Sequence, residues 1–157
     1  MDTERDRRAL RRRALGWGIA TAPIFPGVDL GRDLVLARGP GGLDFARVEG
    51  DENLAHALEV AMTTPLGSDL FNTSFGFDGL NALAGETDPV LVRERVRVSV
   101  IRALRGDPRV RRILDVQLGG ESAGSAAGTR ALHVHVAFET VTGENATLDL
   151  GRIAPHA

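Results

Sequence analysis

The chain has 157 residues, of which 43% are hydrophobic and 25% charged, so it is long enough for one ordinary domain with a sizeable core. This composition excludes collagen-like, coiled-coil and wholly disordered proteins. The absence of cysteine excludes disulfides, thiolate metal sites and a cysteine nucleophile. No apolar run approaches the roughly 18 residues of a membrane span, and charged residues follow Met1 directly. We therefore expect cytoplasmic synthesis without membrane insertion.

The charged residues are unevenly distributed along the chain. All 19 basic residues are arginine. Residues 1–13 carry six arginines against three acids, residues 48–92 carry eight acids and no arginine, and residues 93–112 carry eight arginines against two acids. Such zones suit docking between several partners, because complementary patches steer and orient association. A solvated surface in a composition that favours arginine is the competing interpretation.

The first 14 residues form a charged N-terminal arm, which we separate from a domain spanning residues 15–157. The arm is predicted to be either frayed or a helix that needs a partner to cover it. Trp17 follows in an irregular segment rich in glycine and proline. We expect its side chain to fill the core, with an interface position as the alternative.

Two short strands and a helix are predicted next. Asp33–Arg38 and Leu43–Val48 flank the Gly39-Pro40-Gly41-Gly42 turn and indicate a hairpin. A helix opens at Asp51 and ends at residues 63–65, with one apolar stripe made of Leu54, Ala57, Leu58, Ala61 and Met62. The following polar segment, residues 64–87, contains Phe71, Phe75 and Phe77, and we expect these rings to pin it to the domain or to a partner.

The second half of the chain predicts one helix followed by three strands. Asp88 and Pro89 are a strong helix start, and the helix should run to about Arg105. Residues 95–100 alternate like a strand, but the length, the start signal and the stripe of Val92, Val96, Val100, Ala103 and Leu104 favour a helix. The predicted strands are Val110–Leu118, Leu132–Phe138 and Ala146–Gly151, with a mobile loop at Gly119–Arg130. The fold class is therefore α+β: a two-layer domain with a small mixed or antiparallel sheet packed against two main helices, plus the charged arm.

No residue set predicts catalysis, and we expect no catalytic residue, metal or cofactor. His133 and His135 would share one face of a strand, as metal ligands can, but no third ligand is indicated and an exposed strand face is the simpler interpretation. The Gly39–Gly42 turn lacks the lysine and following helix of a phosphate-binding loop. Acids and serines are available by type but not in a catalytic motif; they are Glu49, Asp51, Glu52, Asp69, Asp78, Ser68, Ser74 and Ser99.

A series of short motifs follows in a definite order over residues 15–155. They are Gly16-Trp17-Gly18-Ile19, Phe25-Pro26, the helix 54–64 with Met62-Thr63-Thr64-Pro65-Leu66-Gly67, Phe75-Gly76-Phe77-Asp78 with Leu80, Gly106-Asp107-Pro108-Arg109-Val110 and Ile113-Leu114-Asp115-Val116. Their order and spacing resemble the small baseplate wedge protein of contractile tails, a family that serves contractile phages, type VI secretion systems and phage-tail-like injection particles. Asp107 stands where the family has the glutamate of a Glu-Pro-Arg element, and Gly67-Ser68-Asp69 replaces a Gly-Glu-Arg sequence that many members carry.

The resemblance implies a structural, non-enzymatic protein of a tail-like particle. Family members are present in about six copies per baseplate, one in each wedge of the closed ring. They join the larger wedge subunits to the first ring of the sheath protein, with spike or hub proteins as further candidate partners. Asp107, Pro108 and Arg109 would help to fix the wedge junction. From the residues themselves, Arg111 and Arg112 belong to the basic zone that would meet a partner. The strand with Leu148 and Leu150 could pair with a partner strand.

Two other functions remain open from the sequence. The family has also carried a lysozyme-like label, so a wall-cleaving tail enzyme is one alternative, although no acid pair supports it. An arginine-rich module that binds nucleic acid through Arg93–Arg112 is the other, although a pI of about 6.1 and few aromatic residues disfavour it. We therefore expect no nucleic-acid partner.

Overall fold

The computed structural model describes residues 4–24, 32–79, 81, 85, 88–119 and 132–153. Within them lie three long helices and nine strands. The helices are α1 (Glu4–Leu15), α2 (Asp51–Thr63) and α3 (Pro89–Gly106). The strands are β1 (Trp17–Ile19), β2 (Thr21–Pro23), β3 (Arg32–Leu34), β4 (Leu36–Gly39), β5 (Gly42–Phe45), β6 (Arg47–Glu49), β7 (Val110–Gly119), β8 (Leu132–Thr140) and β9 (Asn145–Ile153).

The main sheet and two helices form two layers, so the predicted α+β class is confirmed. Strands β7, β8 and β9 make a three-stranded antiparallel sheet in that order. Helix α3 packs on β7, and α2 contacts both α3 and β9. The core is made of apolar side chains, two of them phenylalanines; its members are Leu15, Leu54, Leu58, Met62, Phe77, Val92, Val96, Val100, Leu104, Leu132, Val134, Val136, Phe138, Leu148 and Leu150.

Helix α3 forms as predicted and follows its start signal. The Asp88 carboxylate accepts a hydrogen bond of 2.8 Å from the Val90 amide, and Pro89 occupies the first turn, where its missing N–H costs nothing. Val96 and Val100 are completely buried at a spacing of four residues. The segment is helical despite the strand-like alternation of residues 95–100, because only the helical period places these valines together against the sheet.

The segment before α2 is built from three short antiparallel ribbons that meet at one point. The ribbons are β1–β6, β2–β3 and β4–β5. At the junction, Ala20 donates its N–H to Ala46, Ala46 to Val35 and Val35 to Ala20, at 2.8, 2.8 and 3.0 Å. This closed cycle satisfies three backbone donors where the strands part. The predicted hairpin is confirmed in β4–β5, although each predicted strand is divided by a junction residue.

Residues 4–15 form a helix rather than a frayed arm. Its last residue, Leu15, is completely buried, whereas Leu10 remains 56% exposed. Trp17 contradicts the prediction of a core position, because its side chain is 57% exposed and the Arg47 guanidinium lies 4.7 Å above its ring. Its cross-strand neighbours in the β1–β6 ribbon are Glu49 and Arg47, so this face of the ribbon is amphipathic rather than part of the core.

Only one of the three loop phenylalanines enters the core. Phe77 is 1% exposed, while Phe71 is fully exposed, so the prediction that all three rings pin the loop to the domain is wrong for Phe71. Gly76 has φ of 111°, and a Cβ there would lie 2.7 Å from the carbonyl oxygens of Thr64 and Pro65. That close backbone approach lets Phe77 donate its amide to Thr64 at 2.8 Å and turn its ring inward. Most of the predicted mobile loop, residues 120–130, lies outside the described residues.

Replacing Phe77 by alanine should destabilise the fold by about 3–5 kcal/mol, because a fully buried ring is removed from a packed site. The matched change Phe71→Ala should alter stability by less than about 0.5 kcal/mol, since that ring contacts solvent. Urea unfolding of both variants measures the two free energies. Equal losses would contradict the assignment of Phe77 as the single anchor.

Candidate assembly interface

The carbonyl of Leu15, at the end of α1, is the point where three elements are tied together. It accepts one hydrogen bond from Asn53 Nδ2 of α2 at 2.8 Å and another from Arg109 Nη1 at 3.1 Å. A helix leaves its last carbonyls without intrahelical partners, so side-chain donors at this place terminate α1. Asn53 is itself buried, which makes its hydrogen bond costly to lose. No local sequence pattern marks Asn53, because its partner is a backbone atom 38 residues away.

Arg109 is held in position by Asp107 across the turn between α3 and β7. Its Nε and Nη2 donate to the two carboxylate oxygens at 2.9 and 2.6 Å, and its own amide donates to Oδ1 at 2.9 Å. Burial alone would raise the pKa of Asp107, but the hydrogen bonds and the charge of Arg109 outweigh it and hold that pKa below its ordinary value. The pair therefore forms a rigid fork that presents one remaining guanidinium nitrogen to Leu15.

The structure places the three residues of the predicted wedge junction in two different settings. Asp107 and Arg109 contact each other and Leu15, so their polar atoms are engaged within the domain. Pro108, between them, is exposed. A partner at this turn would thus meet the proline and the turn backbone rather than a free carboxylate or guanidinium.

Arg111 and Arg112 share one carboxylate, Glu139 on β8. Arg111 Nη1 and Arg112 Nη2 donate to its two oxygens at 2.9 and 2.8 Å. Neighbouring residues of a regular strand point to opposite faces, but the register between β7 and β8 shifts between Val110 and Arg112, and this bulge lets both side chains reach Glu139. Both arginines keep about two thirds of their side chains exposed, at 65% and 68%. They form a surface with net positive charge, as the basic zone predicted.

Leu148 and Leu150 do not offer their side chains to a partner. Both are buried in the core beneath the sheet, at 4% and 6% exposure, so a partner at this strand would contact its backbone and not these side chains. The strand that carries them is nevertheless an edge, because among the described strands β9 pairs only with β8. What β9 can offer at its outer side is its backbone.

The ladder between β8 and β9 indicates which amides face outward. Thr140 donates its N–H to the Glu144 carbonyl at 2.9 Å across the turn. Hydrogen-bonded pairs alternate along an antiparallel ladder, so the register pairs Phe138 with Ala146 and Val136 with Leu148 as hydrogen-bonded positions. The amide of Leu148 therefore faces β8, and that of Thr147 faces the open side.

Arg11 joins α1 to the turn that precedes β9. Its Nε and Nη2 donate to the Glu144 carboxylate, each at 2.6 Å. This hydrogen bond, together with the charge of Arg11, lowers the pKa of Glu144, and it raises the pKa of Arg11 in turn. The pair is partly exposed, so it orients the helix more than it stabilises the fold.

The residue types considered for catalysis or metal binding stay dispersed. Within the described ranges, no three histidine, aspartate or glutamate side chains group closely enough to hold a metal ion. His133 and His135 are exposed on the outer face of the sheet, opposite Arg152 and Asp149 of β9. A surface depression beside α1 contains Glu49, Asp51 and Glu52, but Glu49 lies 3.3 Å from Arg12 and Asp51 3.6 Å from Arg11.

No protein-family model and no curated protein matches this chain. In the described part of the structure, none of the helices combines the length and the apolar character needed to cross a bilayer.

Removing the Asp107 carboxylate should cost stability in a pH-dependent way. At pH 7, Asp107→Asn should lower the free energy of unfolding by about 2 kcal/mol, because Arg109 loses its charged acceptor. A carboxyl whose pKa is lower in the folded state stabilises above its ordinary pKa of 3.8, and that contribution disappears as pH falls through the folded value.

The difference in free energy of unfolding between wild type and Asp107→Asn should therefore become smaller below pH 4. Urea unfolding at descending pH measures it. Pro108→Ala, at an exposed neighbour, serves as the matched control. A difference that stays constant with pH would show that the carboxylate charge is not what holds Arg109.

Proposed function

We propose that this protein is a structural baseplate subunit of a contractile injection system or phage tail. In this role it joins the larger wedge subunits, and the spike or hub proteins near them, to the first ring of the sheath. The observation that carries the proposal is the edge of β9, a nine-residue strand on a firmly packed three-stranded sheet, which no other described strand covers. An extended arm of a sheath subunit fits such an edge, since strand addition takes its affinity from backbone hydrogen bonds.

The rigidity of the sheet supports a role in transmitting force. Strand β8 is completely buried at Val134 and Val136 and is paired on both sides, so a strand added at β9 is coupled to the core through continuous ladders. An unpaired edge of this length is an aggregation hazard in an isolated protein. Occupation by a sheath arm would remove that hazard in the assembled particle.

The charge distribution supports a separate contact with the wedge subunits. The exposed guanidinium groups of Arg111 and Arg112 lie on β7, the opposite edge of the sheet from β9. A basic surface at one edge and an open ladder at the other allow two different partners to bind at once. This arrangement suits a subunit that joins two larger components, and it needs no catalytic centre.

Proline at Thr147 should separate sheath docking from folding. Thr147 is exposed and its amide faces the open side of β9, so Thr147→Pro removes a donor that only an added strand would use. The native host should then assemble baseplates without sheaths, while Thr147→Ala, which keeps the amide, should give normal particles. Electron microscopy of particles from a deletion strain complemented with each variant measures this.

Thermal unfolding of the purified variants shows whether folding is preserved. Leu148→Pro cannot separate sheath docking from folding, because the Leu148 amide faces β8 and the Leu148 side chain is buried. Full-length sheaths with a folded Thr147→Pro variant would exclude β9 as the docking strand. Sheathed particles in the deletion strain, or a host that makes the protein but no contractile particle, would contradict the proposed function itself.

A further inference from the structure

The three-ribbon junction presents one face made largely of apolar side chains. Cross-strand partners share a face of a ribbon, so Leu36 lies beside Phe45 and Leu43 beside Arg38. Side chains alternate along each chain, and the junction residues Ala20, Val35 and Ala46 occupy the other face. The exposed apolar residues on the first face are Trp17, Ile19, Leu34, Leu36, Leu43 and Phe45, which we call the junction face.

The large side chains of the junction face are about half exposed. Leu36 and Leu43 are 52% and 66% exposed, and Phe45 is 46% exposed. In the β1–β6 ribbon the opposite face is directed into the molecule, where Val48 is 5% exposed and Gly18 adjoins Asn53. Grouped apolar side chains at a surface mark an interaction site, whereas single ones need no explanation.

Charge is sorted between the two faces of the ribbons. Arg38 and Arg47 lie on the junction face, and no ion pair joins either of them to another residue in the described ranges. Asp44 pairs with Ala37, and Asp33 with Ala22, on the opposite face. The two other charged groups on the junction face are already neutralised, since Glu49 contacts Arg12 at 3.3 Å and Arg32 contacts Glu59 at 2.9 Å.

The geometry points to the junction face as a docking surface for an amphipathic segment of a different protein, one that carries carboxylates among apolar side chains. The apolar residues would bury that segment's apolar side, and Arg38 and Arg47 would pair with its acids. The Arg47 guanidinium lies over the Trp17 ring, 4.7 Å from its centre, which places an aromatic ring and a cation together at the surface. Tryptophan and arginine are the residue types that most often dominate binding energy at interfaces.

A second copy of this chain packed face to face is a poor occupant for this surface. A two-fold axis would place Arg38 and Arg47 of both copies in one contact, where the acid of the face, Glu49, is already paired with Arg12. Like charges brought together in a desolvated contact oppose association. The inference does not depend on the proposed baseplate role, because it concerns the chemistry of the partner and not the particle to which that partner belongs.

Site-specific photocrosslinking tests the inference in the native host with the full chain. Phe45 is replaced by the photoreactive amino acid p-benzoylphenylalanine. In the matched control protein, the same amino acid replaces Ala37, which lies on the opposite face of the β4–β5 ribbon. The cross-linked peptide is identified by mass spectrometry. Charge-reversal substitutions are then added to the protein that carries the photoreactive residue at position 45. Arg38→Glu and Arg47→Glu are the tests, and Ala37→Glu is the control.

We expect a cross-link from position 45 but not from position 37, to a peptide of another protein with at least two acids among apolar residues. Each arginine reversal should lower the cross-link yield about tenfold or more, while Ala37→Glu should leave it unchanged. Unchanged thermal unfolding of the variants shows that the ribbons still form. A partner from outside any contractile particle would uphold this inference and contradict the proposed function.

Three outcomes would overturn the inference. The first is an equal cross-link yield from positions 45 and 37, which includes no cross-link from either. The second is a cross-link to a second copy of the chain. The third is a partner peptide that lacks acids, or whose cross-link yield does not change when Arg38 and Arg47 are reversed.

Discussion

The carbonyl of Leu15 is the constraint on which the rest of the structure depends. It receives donors from α2 and from the turn that follows α3, so one backbone oxygen fixes the relative positions of all three helices. The Leu15 side chain is completely buried beside it, and Arg109 reaches it only because Asp107 holds the guanidinium in one orientation. Loss of either donor would leave this oxygen with a single hydrogen bond, and loss of Asp107 would leave the part-buried guanidinium of Arg109 without its charged acceptor.

The main sheet and the three ribbons are two regions of the molecule with different surfaces. On one side, the sheet covers its core with Val134, Val136 and Phe138 and leaves a backbone edge at β9. On the other, the three ribbons present apolar side chains together with Arg38 and Arg47, which have no ion-pair partner within the described ranges. One region offers main-chain hydrogen bonds and the other offers side-chain burial, so they suit partners of different chemistry. A subunit that links components of a larger assembly needs such separate contacts on a rigid body.

Elements with strong local signals could be predicted from the sequence alone. Helix α3 is specified by its Asp88 cap and a four-residue valine spacing, and β8 by strict alternation, so each choice is decided within a few residues. Phe71, Phe77 and Trp17 could not be assigned in this way. Each is a large apolar residue in an irregular segment, and burial there depends on backbone approaches such as that of Gly76 to Thr64. The same holds for Arg109, whose acceptor lies 94 residues away.

The sequence by itself determined the α+β class, the main helices and strands, the zones of charged residues and the lack of any catalytic motif. These follow from composition and from periodicities of two and 3.6 residues, which act over one turn or one pleat. Only the tertiary structure decided that Leu148 and Leu150 face inward, that a bulge brings Arg111 and Arg112 to one carboxylate, and which ribbon face stays uncovered. Register, bulges and the pairing of distant strands depend on contacts between segments far apart in the chain, and no local pattern encodes them.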